Sequence, residues 1–204
     1  MREQQVRATR QAILLAAREL FIAQGYGATT LDEIAQRAGV SKPTVFSAVG
    51  NKQAVLKTVR DVAIAGDDEP VPVGQRPVVE RVRAAPDQLT AVAVLAAHLT
   101  GVAGRYAEIN EVLHTAADSG EPALRELWAT EEDQRLIGAR LWLRLLAEKG
   151  GLTGGVGRTH AADLLWLLMA PDHYFRLVHV RGWTPRRYER WLATAISNVL
   201  RPDG

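Results

Sequence analysis

The stretch Thr30–Val49, TLDEIAQRAGVSKPTVFSAV, reads as two short helices joined by a tight turn. Thr30 can cap a helix, and Glu33 follows three residues on, the spacing of a capping box. Leu31, Ile34, Ala35 and Ala38 then recur on one face, and Gly39 ends the helix. Ser41 caps the next helix. Pro43 sits in its first turn, where a missing N–H leaves no helical bond unmade. Ile34, Ala35, Val40, Val45 and Val49 can lock the pair together, leaving Lys42, Thr44, Phe46, Ser47 and Ala48 on the free face of the second helix. This is helix-turn-helix spacing, and a helix of that size fits a DNA major groove. Short angled helix pairs also occur in ordinary bundles, so the pattern alone leaves both readings open.

Helical periodicity continues on both sides. Upstream, Val6, Ile13, Ala17, Leu20 and Phe21 lie at helical spacing until Gly25 and Gly27. Downstream, Asn51 caps a helix with Val55, Val59, Val62 and Ala63 on its inner face. Gly66–Pro77, GDDEPVPVGQRP, is acidic and rich in Pro and Gly, which predicts a linker. Long amphipathic helices are expected beyond it, at about 87–117, 121–149, 158–181 and 184–200. Pro122 and Pro185 fall at helix starts, the glycine cluster 150–157 separates two helices, and Pro171 should kink or split the third. Strand signals are nearly missing. The expectation is an all-α chain with one domain at 1–66 and a second helical domain at 67–204.

The composition is that of a globular protein: 204 residues, 47% hydrophobic and 24% charged, with a net charge of +2. Cysteine is absent, which excludes disulfides, thiolate zinc sites and cysteine nucleophiles. The N-terminus, MREQQVRATRQ, carries no apolar leader, and no run approaches the ~18 apolar residues of a membrane span. A soluble cytoplasmic protein without a membrane partner is therefore expected. Arginine outnumbers lysine 21 to 4, which suits a GC-rich bacterial genome. Residues 1–66 hold nine Lys/Arg against five Asp/Glu, whereas the rest holds 16 against 18. A basic head on a mildly acidic body suits a polyanion partner, or is simply a solvated surface. Arg2, Arg7 and Arg10 suit an arm entering a minor groove, although a solvated tail is the simpler reading.

Catalytic chemistry finds no support. There is no HExxH, GxSxG or paired-carboxylate arrangement, and the glycines at 154–157 lack the strand and lysine of a phosphate loop. His160 and Asp163 are one helical turn apart without an evident third ligand. Neither a cofactor nor a metal is expected. All five tryptophans lie beyond residue 127. Trp183 and Trp191 read as packing residues, while Trp128, Trp142 and Trp166 suit either a core or the wall of a small-molecule pocket. Asn110 falls at the next step of the apolar stripe Leu89, Val92, Ala96, Leu99, Ala103, Tyr106 and Leu113, with His98 and His114 beside it. Such a polar residue is either a satisfied core group or a ligand contact. The candidate ligand set is thus His98, Tyr106, Asn110, His114, Trp128, Trp142 and Trp166. The run Glu131–Arg135 reads as a solvated face.

RQAILLAARELFIAQGYGATTLDEIAQRAGVSKPTVFSAVGNKQAVLKTV, residues 10–59, resembles the DNA-binding domain of the tetracycline-repressor (TetR) family. The matching positions are Ile13, Ala17, Phe21, Gly25, Tyr26, Thr29, Thr30, Ile34, Ala35, Ala38, Gly39, Val40, Ser41, Asn51, Lys52 and Leu56. The resemblance implies a homodimeric regulator, most often a repressor, that binds a palindromic operator in double-stranded DNA and leaves it on binding a small-molecule effector. It places Thr30, Ser41, Lys42, Thr44, Phe46, Ser47 and Lys52 against DNA. Phe46 departs from the tyrosine usual in the family, and Ser47 and Ala48 are small. These departures motivate a second reading, a helical ligand-binding protein whose DNA head has decayed. The C-terminal apolar run resembles the last two helices of many members, and there the resemblance implies a four-helix dimer interface through Leu164, Leu168, Tyr174, Phe175, Trp191, Leu192 and Ile196.

Overall fold

The computed structural model describes residues 2–68, 71, 73–152 and 157–200. Parts of the expected linker (Glu69, Pro70, Pro72) and of the glycine cluster (Gly154, Gly155) lie outside them. The described residues form helices, with no strand among them. In order these are α1 (Arg2–Ala28), α2 (Leu31–Ala38), α3 (Lys42–Ala48), α4 (Lys52–Ala65), α5 (Pro77–Ala84), α6 (Gln88–Asp118), α7 (Pro122–Ala147), α8 (Arg158–Leu168), α9 (Asp172–Tyr174) and α10 (Pro185–Leu200). A 3-10 turn spans Val73–Gln75, and α9 runs on as a π turn at Phe175–Val180.

The chain divides into two compact units. Unit 1 comprises residues 1–68 and 108–129; unit 2 comprises 69–107 and 130–204. No local signal in the sequence announces that residues 108–129 group with the head.

Unit 1 is built on local caps. Helix α1 breaks at Gly25, whose φ of 79° and ψ of 167° are non-helical and easily reached only without a Cβ. Thr30 and Glu33 form the complete capping box of α2. Gly39 closes α2 in the left-handed conformation, with φ at 69°. Ser41 Oγ accepts from Thr44 N at 3.3 Å, and Asn51 Oδ1 accepts from Ala54 N at 2.9 Å, capping α3 and α4. Ile13, Ala17, Phe21, Ile34, Val45, Val55 and Leu56 are almost wholly removed from solvent and hold α1 to α4 together. Truncating Ile34 to alanine there should cost about 3 kcal/mol. From residues 108–129, Ile109, Leu113 and Leu124 are equally buried. Glu108 pairs with Arg18 of α1 at 3.4 Å, and Glu121 accepts from Gln53 of α4.

Three expectations fail here. Val6 is 60% exposed, so the apolar face of α1 begins at Ile13. The N-terminal arm is helical from Arg2 onward, not a loose tail. Arg10 is also not free to reach a groove: its Nε donates to Asp68 at 2.6 Å and its Nη1 to Ala48 O at 2.7 Å. The side chain of Arg2 lies outside the described residues.

Unit 2 has one apolar core, drawn from α5, α6, α7, α8, α9 and α10, with Leu95, Trp142, Leu146, Leu165, Tyr188 and Ile196 at its centre. Helix α5 was not expected. Its start, Pro77-Val78-Val79, carries β-branched residues that weaken a helical signal, yet Val78, Val79 and Val82 are buried and stabilise it through packing. Leu89, placed in the α6 stripe by its spacing, is 69% exposed. Helix α6 also contains an 18-residue window with mean hydropathy 1.2, long and apolar enough by those measures to cross a membrane, contrary to the sequence expectation. As expected, Pro171 splits the third long helix: α8 stops at Leu168 and α9 restarts at Asp172.

Candidate nucleic-acid interface

Helices α2 and α3 present the surface on which most of the expected DNA-contacting residues lie. On α3, Lys42, Phe46 and Ser47 are exposed, and Thr44 is half-buried. Phe46 is 61% exposed, an unusual cost for a phenylalanine. The opposite face, through Val45, is fully buried, so α3 cannot rotate without opening the head's core. Hydroxyls stiffen the helix start: Ser41 and Thr44 share a hydrogen bond of 2.8 Å, and Ser47 Oγ donates to Thr44 O at 3.1 Å.

Two of the cations are already engaged. Lys42 Nζ donates to Asp32 Oδ2 of α2 at 2.8 Å. Lys52 Nζ donates to Tyr26 O at 2.9 Å and stands 4.2 Å from the centroid of the Tyr26 ring. Burial, aided by the Glu121 carboxylate, pushes the Tyr26 phenol up to about 12, so the ring under Lys52 is neutral. Thr30 is likewise committed to α2. Its Oγ1 accepts from Glu33 N at 3.2 Å, and its N donates to Glu33 Oε2 at 2.8 Å. The Thr30 hydroxyl, which also donates to Glu33 Oε2 at 2.8 Å, and then the Thr30 N–H hold the Glu33 carboxyl below its ordinary value. The pairing of Arg10 with Asp68 went unnoticed in the sequence. Arg10 supplies the donor at the C-terminal end of α3, and a pairing across 58 residues leaves no local signature.

The seven expected ligand residues do not share one unit. In unit 1, Asn110 is buried, and His114 lies against Trp128 with ring centroids 4.7 Å apart. In unit 2, His98 faces Trp142 at 6.0 Å, Tyr106 Oη donates to Glu131 Oε2 at 2.8 Å, and Trp166 lies 5.2 Å from the Arg135 guanidinium. Burial, with Arg105, Arg81 and Arg76 adding to it, pulls the His98 imidazole down to about 4. The run Glu131–Arg135 is the expected solvated face only at Asp133 and Gln134. Glu131 is buried, and Glu132 and Arg135 pair in a half-buried setting. Their charge is tolerated because each has a partner.

The expected dimer set divides by burial. Tyr174, Leu192 and Ile196 lie in the core of unit 2 itself and are not available to a second chain. Leu164, Leu168, Phe175 and Trp191 remain half-buried.

Residues 13–59 match the family model described as bacterial regulatory proteins, tetR family. The HTH-type transcriptional regulator YdeS of Bacillus subtilis is 44% identical over 64 residues, 31% of this chain and 32% of that protein. The HTH-type transcriptional activator FasR of Mycolicibacterium smegmatis is 43% identical over 61 residues, 28% of each chain. The matched segments thus span about a third of the length of these relatives. Among solved structures, NalD of Pseudomonas aeruginosa, described as the secondary repressor of the MexAB-OprM multidrug efflux pump, superposes with a TM-score of 0.73. That match covers 98% of this chain and all of the other at 23% identity, a likeness of fold.

Proposed function

We propose that this chain, whose head belongs to the tetR family of bacterial regulatory proteins, is a cytoplasmic transcriptional repressor that binds DNA as a homodimer. In this reading residues 1–66 read an operator, while residues 67–204 hold the partner chain and a small-molecule effector. The observation that carries it is α3: Val45 anchors one face in the core, while Lys42, Phe46 and Ser47 stand exposed on the other.

Two such helices related by a dimer axis enter successive major grooves about 34–36 Å apart, so the operator is a palindrome. In this reading Lys42 and Thr44, at the start of α3, meet base edges. Phe46 offers an apolar ring to a thymine methyl. Ser41, Ser47, Thr30 and Lys52 are assigned to phosphates, and such contacts give affinity that falls with salt. An effector that binds a differently spaced dimer more tightly lowers DNA affinity by that difference. Leu164, Leu168, Phe175 and Trp191 are the dimer residues that burial leaves in play.

Selection of bound fragments from genomic duplex DNA at near-physiological salt tests the reading. A recovered palindrome with half-sites one helical turn apart supports it. Sequence-indifferent binding lost on modest salt addition favours the decayed-head alternative, which the missing tyrosine hydroxyl at Phe46 and the pairing of Lys42 with Asp32 bring forward.

A further inference from the structure

The end of α7 and the start of α8 border an open cleft of about 510 Å³ in unit 2. Its polar wall is arginine: Arg140 and Arg144 of α7, and Arg158 of α8. Leu143, Leu152 and Ala162 add an apolar wall. Among the described residues none of the three guanidinium groups forms an ion pair, although the Glu148 carboxylate lines the same cleft.

Helix electrostatics do not account for this arrangement. Arg144 lies in the last turn of α7, where a cation suits the helix dipole. Arg140 stands one turn before Arg144, a spacing at which like charges repel. Arg158 is the first residue of α8, at the positive end of that dipole. Two of the three cations therefore sit where the isolated helix disfavours them, and all three line one concavity with a single carboxylate. Guanidinium groups match the oxygens of carboxylates and phosphates two bonds at a time. A cleft of this volume with an apolar wall and a few convergent polar groups is of ligand size.

We propose that this cleft binds a small amphipathic organic anion, its carboxylate or phosphate head on Arg140, Arg144 and Arg158 and its hydrocarbon part against Leu143, Leu152 and Ala162. The cleft includes none of the seven residues expected to hold an effector, so it is a separate site, and it stands whether or not the chain binds DNA.

Calorimetric titration of the full chain without DNA tests this with octanoate, octyl phosphate, octanol and inorganic phosphate. Octanoate, octyl phosphate or both should bind once per chain, and the tighter of the two identifies the head group. Inorganic phosphate, lacking the hydrocarbon, should bind at least tenfold more weakly, and octanol should give no saturable heat. Arg158→Gln and the double variant Arg140→Gln/Arg144→Gln should each lower affinity at least tenfold, with circular dichroism and melting temperature unchanged, since all three side chains are exposed. Octanol binding as tightly as octanoate overturns the proposal. So does unchanged affinity in the arginine variants, or the absence of saturable heat with both amphipathic anions.

Discussion

Lys42 Nζ lies 2.8 Å from the Asp32 carboxylate, so a carboxylate of α2 holds the first cation of the helix proposed to enter the groove. Both side chains are more than half exposed, and such a pair contributes about 0–1 kcal/mol. Lys42 must leave Asp32 to reach a base. Asp32→Asn should therefore tighten operator binding, by about fivefold at most. Fluorescence anisotropy titrations checking this should also find that Lys42→Ala weakens binding. A loss of affinity in Asp32→Asn would mean that Asp32 aims Lys42 at the DNA and does not compete for it.

Phe46 places a bare ring at a prominent point of α3. Phe46→Tyr adds a hydroxyl able to bond a phosphate, and affinity should rise by up to about tenfold. Phe46→Ala should lower affinity without lowering the melting temperature, because the ring buries little in the free protein. An effect of Phe46→Ala on melting alone would assign the ring to folding.

Lys52 has two roles that one variant can separate. Its ammonium bonds Tyr26 O and sits over the Tyr26 ring, so Lys52→Met should destabilise the head by about 1–2 kcal/mol in urea unfolding. A phosphate role adds an independent signature: the slope of log affinity against log salt should fall by about one per chain. Lower stability with an unchanged slope would make Lys52 a structural residue only.

The Thr30–Glu33 box gives the head an acid limit. Glu33 titrates below its ordinary value of 4.5 when folded, so its contribution is present above pH 4.5 and is lost as pH falls through the lower folded value. Glu33→Gln should flatten that part of the acid-unfolding curve followed by circular dichroism. Thr30→Ala should cost about 1 kcal/mol at pH 7.

His98 acts on unit 2 over a different range. Its imidazole is pulled from 6.5 to about 4 on folding, so its contribution is full above pH 6.5 and fades as pH falls toward 4. With solvent screening allowed for, the loss is about 2 kcal/mol over that window. Urea unfolding at pH 7 and pH 5 should show the decrease in the native chain and a smaller one in His98→Gln.

The head was legible because its grammar is local. Thr30 with Glu33, Ser41, Asn51 and Gly39 each act within four residues, and each performs its expected bond or turn in the structure. Long-range pairings were not legible. Arg10 with Asp68, and Tyr106 with Glu131, join residues far apart in sequence, so Arg10 read as an arm and Glu131 as solvated. Burial within an apolar run was equally hidden. Periodicity shows that Tyr174, Leu192 and Ile196 face something apolar, and the something is the chain's own core.

Phe175–Val180 holds a π turn, closed by Arg181 N donating to Arg176 O at 3.0 Å. Such a turn carries one residue more than the α turn it replaces. Chain length is therefore a structural variable at this point, as much as side-chain chemistry is. Removing one residue from the segment would restore a regular turn and leave the helix on its N-terminal side in register with the chain on its C-terminal side, because the wider turn absorbs the extra residue. Tyr174, edge-on to Tyr188 with ring centroids 5.0 Å apart, would keep its place. Ungapped alignments with related chains that lack the extra residue will thus mispair every position on one side of this segment, and a gap of one position here records the loss of a wide turn, not a shortening of a loop.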